Sequence, residues 1–167
     1  MIKAWHFTSN TLRDGRPLPA PGEVLRHEGD LVICREGLHA SRRLIDALKH
    51  APGSMLHRVT CGGEAVEESD KLVCRERTIE WTIDADDLLW RFARKRALDV
   101  IHLWDAPEVV VDYLKTGDES LRKASTAASR APSWAASKAA SCSWAALWTR
   151  QNRSLVAMVY AEHRRLT

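Results

Sequence analysis

Hydrophobic and polar positions follow two different periods along this chain. In the first half they alternate. Ile2–Thr8 alternates and is rich in aromatics, the pattern of a half-buried strand. Val24–His27 and the apolar run Leu31–Cys34 read as short strands, and Met55–Thr60 alternates again. Lys71–Cys74 and Thr78–Ile83 read as two further strands separated by the charged step Arg75–Arg77. Asp14–Gly15, Glu36–Gly37 and Gly62–Gly63 are turn signals, and Pro17, Pro19, Pro21 and Gly22 make an irregular loop. A single helix interrupts this half: Ser41 can cap a run from Arg42 to Ala51 that Pro52–Gly53 stops.

From Asp84 the spacing becomes helical. Asp84 and Asp86 are cap candidates for a helix reaching Trp104, with Leu88, Leu89, Phe92, Leu98 and Ile101 on its apolar side. Asp105–Glu108 resembles a capping box for a helix that ends at Gly117, and helix restarts at once. Residues 124–143 then repeat with a period of four, with serine at 125, 129, 133, 137 and 141 and alanine at eight of the other fifteen positions. Four residues turn an α-helix about 400°, so the serine row drifts about 40° per repeat instead of forming one seam. Small residues on every side let backbones approach closely. Pro132 must kink or divide this stretch, and helix resumes from Trp134 to Arg164. The predicted fold is α+β: a small mixed or antiparallel sheet with one helix over 1–83, followed by an all-α region over 84–167.

Charge is unevenly placed. The chain carries a net +3; residues 1–117 hold a net −2 and residues 118–167 a net +5, with no acidic residue between Glu119 and Glu162. A basic tail bearing Trp134, Trp144 and Trp148 suits an acidic partner, protein or nucleic acid. No apolar run reaches the roughly 18 residues that span a bilayer. Met1–His6 lacks the apolar core of a secretory leader, so a cytoplasmic location and no membrane partner are expected. Cys34, Cys61, Cys74 and Cys142 are widely spaced and read as small hydrophobes. A zinc site drawn from Cys34, His39, His57, Cys61 and Cys74 lacks the usual short ligand pairs, so no metal is expected.

Candidate chemistry concentrates in three segments. His6 lies on the first strand, within Trp5–Thr8. His39 and Ser41 fall in Cys34–Ser41, ahead of a helix N-terminus where anions are favoured. Asp70, Lys71, Glu76 and Glu80 lie in the segment that supplies the late strands. If those strands join one sheet, His6 and His39 should converge on a cleft with at least one of Asp70, Glu76 and Glu80. Phosphate-loop, dinucleotide, metalloprotease and serine-hydrolase signatures do not occur.

At these residues the chain resembles a known group. Gly37-Leu38-His39-Ala40-Ser41, followed by Asp46-Ala-Leu, Ala51-Pro-Gly53, Gly63-Glu64 and Asp70-Lys71-Leu-Val, resembles a domain common in phage and prophage proteins. Its hallmark is a Gly-(Phe/Leu)-His-Ala-(Cys/Ser) segment after a strand, with an alanine-rich tail often following. The resemblance covers roughly residues 1–120 and implies a setting, a mobile-element accessory protein, more than a mechanism. Ser41 here takes the place of Cys, which weakens any thiol-based chemistry. A looser similarity to the ADP-ribosyltransferase core implies an NAD-using alternative. There His6 holds NAD, His39 or Ser41 positions the nicotinamide, and Glu76 or Glu80 orients the acceptor or ribose.

The reading adopted from sequence is therefore an accessory protein, with no cofactor, that binds a host or defence macromolecule. Ser41, Asp70, Lys71, Trp134, Trp144 and Trp148 are its candidate binding residues, and His6, His39, Glu76 and Glu80 are the catalytic candidates of the NAD alternative. A nucleic-acid binder acting through the basic helices is the third reading. Exposed tryptophans and small-residue faces also fit a homodimer.

Overall fold

The computed structural model describes residues 1–103, 105–129 and 144–167. Its strands are β1 (Ile2–Thr8), β2 (Val24–Arg26), β3 (Leu38–Ala40), β4 (Met55–Glu67) and β5 (Leu72–Asp84). Its helices are α1 (Leu44–Lys49), α2 (Asp86–Asp99), α3 (Glu108–Thr116), α4 (Glu119–Ser129) and α5 (Trp144–Leu166), with a 3₁₀ turn at Ile101–Leu103. The predicted α+β class holds, and the sheet is antiparallel throughout. The chain forms two compact units, one of Met1–Asp86 with Gln151–Thr167, the other of Asp87–Arg150. The last helix thus divides: residues 151–167, read from sequence as part of the helical region, belong with the sheet.

In the first unit the strand order is β1-β4-β5-β2, with β3 paired to the start of β5. Ser41, just after β3, exchanges two backbone hydrogen bonds with Trp5 of β1, at 2.8 and 2.9 Å. The path β1–β4–β5–β3 therefore returns to β1 and closes a small ring. Ala4, Ala40, Val59, Cys61, Leu72, Cys74 and Ile79 form a buried cluster there. Small side chains suit the interior of so narrow a closure. On the opposite face Trp5 and Trp81 meet Tyr160 of α5 edge-on at 5.8 and 5.9 Å, and His163 stacks on Trp81 at 4.2 Å. Leu155 and Val159 of the same helix are fully buried. Asn152 Oδ1 accepts the Ile45 N–H at 3.1 Å, satisfying one of the backbone donors that α1 leaves open.

Several local expectations change. Gly62–Gly63 is not a turn but an irregularity inside a long hairpin, and the two expected strands 71–74 and 78–83 are one strand, β5. Leu31–Cys34 is not a strand. It enters a tight turn in which the N–H groups of Arg35 and Glu36 both reach Val32 O, and Cys34 takes φ +67°. The strand is instead Leu38–Ala40, shorter and later. Ser41 does not cap α1, because its backbone closes the ring; α1 starts at Leu44 after Arg43, with no side-chain cap. α2 ends at Asp99, before Trp104, which lies outside the described residues.

The second unit packs α3 against α4. Gly117 (φ +72°) ends α3 as predicted, donating its N–H to Tyr113 O at 2.8 Å. Asp118 Oδ1 accepts the Ser120 N–H at 2.9 Å, opening α4. The Arg122 guanidinium lies over the Trp90 ring, 4.3 Å from its centre. Among the described residues no helix is long and apolar enough to cross a membrane.

Candidate functional site

The first unit holds a cavity of about 840 Å³. Its walls come from the end of β1, the loops on either side of β2, the turn before β3, β3 itself and one residue of β5. His6, His39, Ser41 and Lys71, singled out from sequence in separate segments, all line it. Asp70, Glu76 and Glu80 do not. Asp70 faces Lys49 at 3.5 Å and His50 at 3.4 Å. Glu76 is bound to Arg26, and Glu80 to Lys3 and Thr60.

The irregularities in the β4–β5 hairpin account for this. Leu72 and Cys74 face the core at even positions, yet after the register shift at Gly62/Ala65 the inward positions are odd, Arg77 and Ile79. A slip of one residue exchanges the faces of a strand, so Glu76 turns out and Arg77 turns in. The second shift, at Arg58/Val59, leaves Glu80 as the unpaired residue between Ile79 and Trp81, on the side of Lys3 and Thr60.

Arg77 is the floor of the cavity. It is 4% exposed, and one guanidinium nitrogen donates to His39 O at 2.6 Å. Its Nε has no hydrogen-bond partner among the described residues, and no carboxylate is placed to pair with it. The groups whose fields reach it are the thiols of Cys61 and Cys74, and neither is a carboxylate. The bond from Cys61, then Arg77, lowers the Cys74 thiol against its burial, and its Sγ lies 3.3 Å from Leu38 O and 3.0 Å from Glu76 O. The bond to Cys74, together with burial, pushes the Cys61 thiol up. Burial lowers the pKa of Arg77 from its ordinary value, which measures how poorly the charge is solvated there.

The histidines divide by what their nitrogens do. His39 Nε2 accepts the Cys34 N–H at 2.9 Å and Nδ1 meets Gly37 O at 3.1 Å. The proton is therefore on Nδ1, and both nitrogens are used to hold the turn 32–36 against β3. Burial is the main cause of its lowered pKa, reinforced by Arg77, Arg13 and Lys71. His57, opposite His6 in the β1–β4 register, is fully buried between two threonines. Thr8 spends its hydroxyl proton on Ser9 O at 2.7 Å, so His57 Nε2–H donates to Thr8 and Nδ1 accepts from Thr82, each at 2.8 Å. Burial, then Arg77, push its pKa down to about 4. His6 stacks on His57 at 6.1 Å and makes no hydrogen bond among the described residues. Burial, then Arg77, His57 and His39, hold it well below 6.5, so it meets the cavity as a neutral imidazole with both nitrogens uncommitted.

Around this floor the mouth is cationic. Arg13, Arg16, Arg26, Arg35 and Lys71 line it, against one carboxylate, Asp14, which is bound to Arg16. Lys71 Nζ donates to Cys34 Sγ at 2.9 Å. Of the remaining candidates, Trp134 and the Trp144 side chain lie outside the described residues, and Trp148 is half-buried in α5. Among the described residues no group of three His, Cys, Asp or Glu could hold a metal ion.

Sequence reasoning missed Arg77, Arg13 and Arg35. Arg77 had a signal that becomes visible once 72–84 is one strand: a charged residue two positions before the core residue Ile79. No curated protein and no solved structure matches the chain. The profile of one family does match, over residues 2–91, a span that runs from β1 into α2 and contains every cavity-lining residue. The chain belongs to that family, described as Domain of unknown function (DUF7666).

Proposed function

We propose that the first unit is a binding module for an anionic ligand, held over Arg77 and His6. One observation carries this: a buried guanidinium with no carboxylate partner and an orphaned Nε, open to a cavity. Burying an unpaired charge is among the costliest arrangements in a fold, and an anion seated on it restores the missing partner. A neutral His6 beside it can donate one hydrogen bond to the same anion.

The NAD-dependent transferase alternative is supported by His6, His39 and Ser41 sharing the cavity. It is opposed by Glu76 and Glu80, both engaged outside it. Binding is therefore the reading adopted over transfer. The accessory role in a phage or prophage setting, and capture of a macromolecule, are wider proposals that this cavity neither needs nor excludes.

The test is calorimetric titration with inorganic phosphate, of the native chain and of Arg77→Met. Phosphate should bind the native chain and raise its Tm, and do neither for Arg77→Met. The unliganded variant should be at least as stable as the native chain, because an apolar side chain replaces an unpaired buried charge. Absence of phosphate binding to the native chain, or equal binding by the variant, overturns the proposal.

A further inference from the structure

We infer that the cavity takes a ligand with two linked phosphoryl groups on an organic body, of the nucleoside diphosphate class; this rests on the anion site at Arg77. A single phosphoryl group over Arg77 and His6 leaves the mouth unexplained. Two turns there are built to present arginines. In the first, Leu12 N–H reaches Arg16 O and Gly15 N–H reaches Leu12 O, each at 2.9 Å, which puts Arg13 at the tip. In the second, Val32 N–H reaches Glu36 O at 3.0 Å and Arg35 N–H reaches Val32 O at 2.9 Å, and the Cys34–His39 bond ties this turn to β3.

Arg13 and Arg35 are exposed and line the cavity, and neither makes an ion pair or side-chain hydrogen bond among the described residues. Their neighbours differ: Arg16 is taken by Asp14, and Arg26 by Glu76. The free cations therefore fall in two places, one buried at the floor and two exposed at the mouth. Hydrogen-bonded turns carrying unpaired arginines are suited to a second anionic group, since only the two side chains, and not the backbone, remain to be ordered when it arrives.

Size and wall chemistry supply the organic body. About 840 Å³ is in the range of pockets that hold whole cofactors or drug-sized molecules, far beyond one phosphoryl group. Leu12, Leu25 and Leu38 give the walls an apolar surface on which a base or sugar can lie.

The full-length chain is titrated with phosphate, pyrophosphate and ADP, alongside Arg77→Met and the double variant Arg13→Gln/Arg35→Gln. Both mouth residues are exposed, so the double variant should fold as the native chain does. ADP should bind at least about tenfold tighter than phosphate, the worth of one added set of charge-assisted hydrogen bonds. In the double variant ADP binding should weaken at least about tenfold, while phosphate binding stays within about twofold. ADP binding no tighter than phosphate, with phosphate still dependent on Arg77, overturns this inference and leaves the anion site standing. ADP affinity unchanged by loss of Arg13 and Arg35 overturns the mouth assignment. Pyrophosphate binding tighter than ADP overturns the organic body. Loss of phosphate binding by the native chain overturns both readings.

Discussion

His6, His39 and His57 are the same residue type held in the neutral form for one shared reason, burial, and put to three uses. His57 closes a hydroxyl network between Thr8 and Thr82 in the interior. His39 fastens a turn, and His6 keeps both nitrogens for the cavity. Each has its folded pKa below 6.5. Above 6.5 the folded and unfolded states are both neutral and the full stability is present; as pH falls, the unfolded chain takes up protons that the folded one refuses. Stability should therefore drop between pH 6.5 and about 4, the value to which His57 is pushed down, with each histidine adding up to about 1.4 kcal/mol per pH unit. Replacing His57 by Leu should cost about 1–3 kcal/mol near neutrality, because the Thr8 and Thr82 hydroxyls lose their partner. The same variant should unfold with a shallower pH dependence across that window. Urea unfolding at a series of pH values checks both; an unchanged slope would show that His57 is not one of the titrating groups. Sequence placed His6 and His39 together correctly, through strand alternation and a turn signal. His57 was invisible as a core residue, because a histidine in an alternating strand looks the same whether it faces water or two threonines.

At the scale of elements, the β4–β5 hairpin decides which side chains reach the site. Its alternation was legible, but its continuity was not. Gly62–Gly63 and Arg75–Arg77 are opposite one another, so two apparent breaks are one irregular stretch of a single ladder. Propensity reads glycine as a turn, whereas pairing of Gly62 and Ala65 with β5 on either side holds the unpaired Gly63 at φ +67° inside the strand. Glu76 was lost to that error and Glu80 to the second irregularity, at Arg58/Val59, since each shifts what faces the cavity. β3 shows the complementary case: three residues, with too little pattern to predict, fixed by pairing with Leu72–Cys74 and by the approach of Gly37 to β5. A Cβ on Gly37 would stand 2.3 Å from Val73 Cγ2 and 2.9 Å from Leu31 Cδ2, at φ +104°. Gly37→Ala should therefore push β3 away from β5, carrying His39 and the Arg77-bound carbonyl of His39 with it. The expected cost is at least about 1–3 kcal/mol in thermal or urea unfolding, with weaker phosphate binding in the folded fraction. A variant with native stability and native phosphate affinity would show that this approach does not set the site.

On the scale of the whole molecule, the family match and the physical unit have different ends. The match stops at residue 91, yet the first unit is completed by residues 151–167. That segment was legible as helix from its composition, but not as a part of the sheet domain, because amphipathic spacing states that a face is buried and not against what. Its contribution is substantial. Leu155 and Val159 are 0% exposed, and full burial of such side chains is worth about 1.5–3 kcal/mol each. Tyr160 and His163 cover Trp5 and Trp81, and Asn152 satisfies one backbone donor in the first turn of α1. Losing several such contacts exceeds the margin by which a domain of this size is folded. A fragment of residues 1–91 should therefore be insoluble or lack the near-ultraviolet circular dichroism of packed tryptophans, although it spans the whole family match. Joining residues 151–167 to it through a flexible linker should restore that signal and a cooperative unfolding transition. Because every cavity-lining residue lies within the match, the joined protein should also bind phosphate as the full chain does. A fragment of 1–91 that folds cooperatively by itself would show that the C-terminal helix is an accessory to the domain and not a part of it.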